Sequence, residues 1–248
     1  MQQVTNSAIE EMMMEKAAIG GDPFIGADSD GTFENRLEEA YAIIRSAFEK
    51  YPPEKGQIAI SFNGGKDSVV AMELVIDVIG IDAVRNLCIF MFEEEGEYEE
   101  LISYRNEYIA AKRLKFEVVP KSMSWQAGLA KLKSDHGLEG VVIGTRSYDP
   151  EGQRQKVAVS PTTGDFPPLI RYCPAFHWDY CHVWRYLNEV KKIPSCCLYA
   201  KGFTSLGSKH STRPNPHLFD EATKTFRPAW ELADGRLERA GRGGNPSL

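Results

Sequence analysis

The 248-residue chain is 42% hydrophobic and 26% charged, with 29 Lys and Arg against 35 Asp and Glu and a formal charge of −6. That length suffices for one core with extensions, and the acidic balance makes a nucleic-acid backbone a poor partner while leaving room for a small polyanion held by locally concentrated cations. Five cysteines (Cys88, Cys173, Cys181, Cys196 and Cys197) are odd in number and form no CxxC pair, which argues against a disulfide framework or a zinc knuckle and for a reducing compartment.

Residues 1–31 read as a flexible tail, because IGGDPFIGADSDG is rich in chain breakers. The same segment lacks the features of a signal or transit peptide, and no apolar run approaches the ~20 residues of a membrane span. A cytoplasmic monomer is expected. From Phe33 a helical pattern places Leu37, Ala40, Ile44 and Phe48 on one stripe and stops at YPPEKG. QIAISF (57–62) reads as a buried strand and DSVVAMELVIDVIG as a helix apolar nearly all round. LCIFMF (87–92) is a strand, and EYEELISYRNEYIAAKR a helix whose acidic start and basic end suit the helix dipole. FEVVP, SWQAGLAKLKSDHG and GVVIG (140–144) continue as strand, helix and strand. This alternation predicts an α/β fold, a doubly wound and mostly parallel sheet with helices on both faces. Ligands in such sheets bind beyond the carboxyl ends of the strands. After Gly144 the rhythm breaks, with one more strand near LIRYCPAF. DYCHVWRYLNEVKK then reads as an amphipathic helix with Val183, Trp184, Leu187 and Val190 inward, and Trp178 and Trp184 in the core. From Ile193 onward turn chemistry dominates, giving a loop-rich extension, 193–248, packed on the α/β domain of residues 32–192.

SFNGGKDS (61–68) joins the first strand to the helix that follows. Gly64 and Gly65 let backbone N–H groups approach phosphate oxygens, the helix offers its N-terminus, Ser61 and Ser68 supply hydroxyls, and Lys66 adds a charge. It is not the GxxxxGK[ST] phosphate loop, since Ile60 stands in place of the first glycine and Asp67 follows the lysine. The bland alternative is a strand-to-helix turn capped by Asp or Ser. For Asp67, capping and the organising of phosphate or metal are equally good readings.

The loop resembles the S-G-G-x-D-S pyrophosphate loop of the PP-loop ATP pyrophosphatases, which cleave ATP between the α- and β-phosphates. Its F-N-G-G-K-D form resembles the branch holding PAPS reductases and eukaryotic FAD synthetases. Four later segments resemble the synthetases: IGTRSYDP (143–150), FHWDYCHVWRYL, CLYAKGFTSLG with RPNPHL, and PAWELADGRLERAGR (228–242). The resemblance runs from about residue 33 to 242, in order, and is to FMN adenylyltransferases with the adenine nucleotide alpha hydrolase-like fold.

The resemblance implies that residues 32–192 bind nucleotide and that FAD forms from ATP and FMN with Mg²⁺, without nucleic acid or membrane. It implies roles for ATP and pyrophosphate at Ser61, Phe62, Gly64, Gly65, Lys66, Ser68 and Arg242. Fold geometry adds Met91 and Phe92 beside the adenine. Catalytic roles fall on Asn63, Asp67, Asp149 and Arg239, with Asp67 also a metal ligand through the phosphates. FMN falls to Gly144, Arg146, Phe166, Lys201, Gly202, Thr204 and Ser205, where Phe166 stands in place of a common Trp and would stack on the flavin. Alone, Asp149 in YDP also reads as an ordinary turn, Arg146 as a solvated charge, Arg239 and Arg242 as a charged chain end, and Phe166 as a loop aromatic filling the core. A PAPS reductase-like thiol enzyme is disfavoured because no cysteine follows Cys197. An RNA-modifying relative would usually bring a basic extension, against which the acidic composition speaks, and a nucleotide-binding module without catalysis stays open. Cys196 and Cys197 read as buried thiols, and the five histidines show no metal-ligand spacing.

Overall fold

A computed structural model describes residues 31–243. Apart from Gly31, the expected tail lies outside the described residues. Helix α1 (Phe33–Lys50) starts at Thr32, whose hydroxyl accepts the Asn35 amide at 3.4 Å, and ends before the two prolines. Its apolar stripe of Phe33, Ala40, Ile43, Ile44, Ala47 and Phe48 is buried.

Strands and helices then alternate: β1 (Ile58–Ser61), α2 (Lys66–Ile79), β2 (Cys88–Phe92), α3 (Glu99–Lys112), β3 (Phe116–Val119), α4 (Trp125–His136) and β4 (Gly140–Val142). A short helix α5 (Pro150–Gln155) leads to β5 (Val159–Pro161) and β6 (Ile170–Tyr172). The sheet order is β3-β2-β1-β4-β6-β5, parallel throughout except for β5. Side chains alternate across β1: Ile58 and Ile60 join the large core under α1 and α2, and Ala59 the smaller core under α4. Two cores on two faces are the signature of a doubly wound sheet. Connections leave β1 on one side toward β2 and reach β4 on the other, so the loops after β1 and β4 flank a switch point in strand order, where such folds bind ligands.

β5 is too short to show a pattern within a Pro- and Thr-rich stretch; it is defined by antiparallel pairing with β6. Helix α6 (Tyr180–Arg185) opens on a capping box between Asp179 and His182, then continues as a π-helix over Tyr186–Lys191. This corrects the reading of Val190. The wider π turn carries it off the inward stripe, and it is 45% exposed while Val183, Trp184 and Leu187 are buried. Cys197 is likewise exposed, unlike Cys196. Beyond residue 193 the chain forms one helical turn (Cys197–Ala200), a small ribbon of β7 (Phe219–Asp220) and β8 (Thr225–Phe226), and 3₁₀ turns. Among the described residues no helix is long and apolar enough to cross a membrane.

Candidate active site

The loop between β1 and α2 is built by its own side chains. Asn63 Oδ1 accepts the Gly65 amide at 2.9 Å and the Ser68 hydroxyl at 2.8 Å. Gly64 has φ +84°, a left-handed conformation that favours glycine. The N-cap is Gly65, with no side-chain cap, so Asp67 does not cap α2. The Lys66 amide donates to the Tyr199 phenol at 2.8 Å, which ties the loop to the C-terminal extension.

Lys66 and Arg146 are buried and paired with carboxylates in a closed ring. Lys66 Nζ donates to Asp67 Oδ2 at 2.9 Å and to Glu238 Oε1. Glu238 Oε2 accepts from Arg146 Nη2 at 2.5 Å. Arg146 Nε lies 2.8 Å from Asp67 Oδ1, an ion contact too bent for a hydrogen bond. Two cations and two anions thus alternate, drawn from the loop, the segment after β4 and the turn at 238. The solvated reading of Arg146 is corrected: its side chain is 1% exposed. Asp149 joins from the same segment, its Oδ2 accepting the Arg146 amide at 2.8 Å. Gly144 makes the close approach possible, since a Cβ there would lie 2.6 Å from the Asp67 carbonyl. Gly144→Ala is therefore expected to cost about 1–3 kcal/mol of stability through overpacking, read as a lower denaturant midpoint.

Charge follows from this geometry. Burial alone would raise the Asp67 pKa, but Arg146 and Lys66 outweigh it and hold the carboxyl below its ordinary 3.8. Burial and the Asp67 charge push Asp149 the other way. A lowered carboxylate pKa stabilises the fold above the unfolded-state value, and that gain is lost as pH falls through the folded-state value. The difference in unfolding temperature between wild type and Asp67→Asn is thus expected to be largest near neutral pH and to close below pH about 4. A gap constant with pH would mean that the pair does not ionise as described.

The remaining expected residues are spread around this ring. Ser61 ends β1, and the Phe62 ring is buried in the core, stacked on Tyr108 at 4.9 Å. Met91 lines a cleft of about 400 Å³ beyond β2 and β3, with Glu93, Glu97, Ile102, Arg105 and Val118. Arg105 connects cleft and loop: it pairs with Glu97 at 2.7 Å and donates to the Asn63 carbonyl at 3.1 Å. Phe92 turns to the other face and stacks on Trp125 at 4.5 Å. Thr204 is 1% exposed and donates to the Glu238 carbonyl at 2.6 Å. Asn215 donates to Thr204 Oγ1 and to the Leu237 carbonyl, so these two residues clamp the turn that carries Glu238. Lys201 is exposed, 3.5 Å from Glu100, Gly202 packs under Phe226, and Ser205 is half-buried. Arg239 is exposed and makes no ion pair among the described residues. Arg242 lies across Gly207, with Nη1 buried and without a hydrogen-bond partner. Phe166 is not brought to the ring. It sits half-buried in the β5–β6 turn, at the end of the sheet where β4 and β6 begin, opposite the loop.

One histidine meets other ligand-type side chains, although the histidines do not converge on one another among the described residues. His136 Nε2 is 2.7 Å from Glu117 Oε1, and the Cys88 thiol lies within 4.8 Å of both. Parallel pairing of β2 with β3 and the end of α4 bring these residues together, so sequence spacing cannot reveal them. The group lies at the start of β2, at the sheet end away from the loop. The residues that sequence reasoning missed at the site are Glu238, Tyr199, Asn215 and Arg105. Glu238 and Tyr199 stand inside the quoted segments LERAGR and CLYAKGF, where the flanking cations and glycines drew the attention.

The phosphoadenosine phosphosulfate reductase domain model matches residues 128–214. A probable FAD synthase of Schizosaccharomyces pombe is 33% identical over 217 residues, covering 84% of this chain and 79% of that protein. A probable FAD synthase of Caenorhabditis elegans is also 33% identical, over 85% of this chain but only 41% of its own length. The crystal structure of an FMN adenylyltransferase from Candida glabrata superposes with a TM-score of 0.78 at 24% identity, over 96% of both chains, which establishes the fold. With a third of its residues identical over most of the length of the fission-yeast protein, the chain belongs to the FAD synthase family.

Proposed function

We propose that this chain transfers the adenylyl group of ATP to the phosphate of FMN, giving FAD and pyrophosphate. The observation that carries the reading is family membership over most of the chain. The loop at the sheet's switch point supports it. Both substrates are anions, and two unit charges at ~4 Å repel by about 4 kcal/mol at an effective dielectric of 20. The chain is itself acidic, so the reaction needs local cations; Lys66 and Arg146 meet on Glu238, and Arg239, the next residue in the chain, neighbours Arg242.

The FMN phosphate is largely ionised near neutral pH, with a second pKa of about 6, so its oxygen attacks the α-phosphorus without a protein base or nucleophile. Pyrophosphate leaves in line. The protein's part is to position and to stabilise charge. The loop amides and Ser68 receive the departing phosphates. The adenosine lies in the cleft walled by Met91, whose volume suits a small-molecule site. Asn63 fixes the loop, and Arg239 and Arg242 close over the phosphates.

Mg²⁺ fits this site only as a partner of the substrate. Both Asp67 oxygens already face cations, so Asp67 is a poor ligand for a further one. Asp149 has one oxygen on the Arg146 amide and would reach the ion with the other. When bound on the triphosphate, Mg²⁺ would lower the charge that the FMN phosphate must approach. The test is incubation of the protein with FMN, ATP and Mg²⁺ followed by chromatography of the flavins. FAD and pyrophosphate are expected in equal amounts, and ATP binding without FAD would overturn the transfer.

A further inference from the structure

The closed ring raises a difficulty for any phosphate bound at Lys66. Lys66 and Arg146 are 2% and 1% exposed, and every carboxylate oxygen of Asp67 and Glu238 faces one of them. The Lys66 ammonium also lies 5.7 Å above the Tyr180 ring, which closes its remaining side. While Glu238 is in place, no phosphate can bridge the two cations.

The two carboxylates are not equivalent. Asp67 belongs to the first turn of α2 and carries its carboxylate on a side chain one methylene shorter than that of Glu238. Glu238 arrives from a turn at the protein surface, beside exposed Arg239 and Ala240. Its two oxygens bridge Lys66 and Arg146 as two oxygens of one phosphate group would. Its carbonyl is held by buried Thr204 and the preceding Leu237 carbonyl by Asn215, so an outward move of the carboxylate would fall to the side chain's own torsions.

We infer that Glu238 is a resident anion, which occupies the phosphate position between Lys66 and Arg146 and is displaced when substrate phosphate enters. This rests on the reading of the loop as a pyrophosphate cradle. The device keeps two buried cations neutralised while the site is empty, since an unpaired buried charge is costly. It also links site occupancy to the surface turn, because the outgoing carboxylate moves next to Arg239. Glu238 is a positioning residue in this account and takes no part in bond making.

The test is calorimetric titration of the full chain and its Glu238→Gln variant with pyrophosphate alone. Glu238→Gln is expected to bind pyrophosphate at least about tenfold more tightly, because the ligand no longer competes with a carboxylate. The ligand-free variant should unfold at a lower temperature than wild type, and pyrophosphate should raise that temperature by more than it does in wild type. A glutamate needed only for structure would lower the unfolding temperature without tightening pyrophosphate. A folded Glu238→Gln protein with unchanged or weaker affinity overturns the inference. Should that variant fail to fold, Glu238→Asp serves: one methylene shorter, it cannot span both cations, and unchanged affinity there overturns the inference equally. Wild-type protein that binds neither pyrophosphate nor ATP overturns the cradle reading itself.

Discussion

Replacing Arg146 by methionine is expected to destabilise the protein by about 3–5 kcal/mol, the range for breaking a buried ion pair from one side. The guanidinium faces Glu238 at 2.5 Å and Asp67 at 2.8 Å, and its own backbone amide anchors Asp149. Methionine matches much of the volume but leaves two carboxylates with Lys66 as their only cation. One of them must then lose its charge or move to water, and both Lys66 and the Glu238 turn lose their fixed place. Chemical denaturation would show the loss as a lower midpoint at unchanged slope. A change below about 0.5 kcal/mol, ordinary for a surface site, would mean that the ring contributes nothing to the fold. FAD formation should fall as well, because the loop and the turn are joined through this residue.

Arg239→Ala is expected to behave in the opposite way, losing about 10²–10³ in turnover, the scale for one preorganised charge donor, at unchanged stability. Arg239 is exposed and makes no ion pair among the described residues, so truncation leaves nothing buried and unpaired. Its electrostatic neighbour is another cation. Burial, and after it the like charge of Arg239, lower the Arg242 pKa. On the proposed reading, these two neighbouring guanidinium groups, one with a buried nitrogen lacking a partner, receive an anion. Measuring kcat for FAD formation beside the unfolding temperature separates the cases. Near wild-type kcat would remove Arg239 from the phosphates, and a large stability loss would make it a structural residue.

Much of the fold is legible in the sequence because it is written locally. The runs IAIS, CIFMF and GVV are short, apolar and bounded by polar or turn residues, and the helices between them carry their own stops. β5 is not legible, because three residues in a loop-like stretch become a strand only by pairing with β6. Val190 goes astray for a related reason: an α-helical period assumes 3.6 residues per turn, and a π turn breaks the count. The loop is legible as a candidate site, because glycines, a lysine and serines at a strand end have few other uses. Glu238 is not. A glutamate between a leucine and an arginine in a polar tail looks like a solvated charge, and only the fold brings it to Lys66, 172 residues away. Thr204 and Asn215 stand in motifs that suggest ligand contact, yet their polar atoms are used within the protein.

That separation bears on the order in which the molecule assembles. Helix turns and hairpins close loops of a few residues and neighbouring parallel strands loops of tens, whereas the contact of Lys66 with Glu238 closes a longer one, at a greater loss of chain entropy. Contacts of such high order are slow to form, because that entropy is lost before they reward it. The loop between β1 and α2 thus has its charge balance only when the surface turn is docked. Detachment of the turn around residue 238 would therefore leave the sheet in place but Lys66 and Arg146 short of a counter-charge.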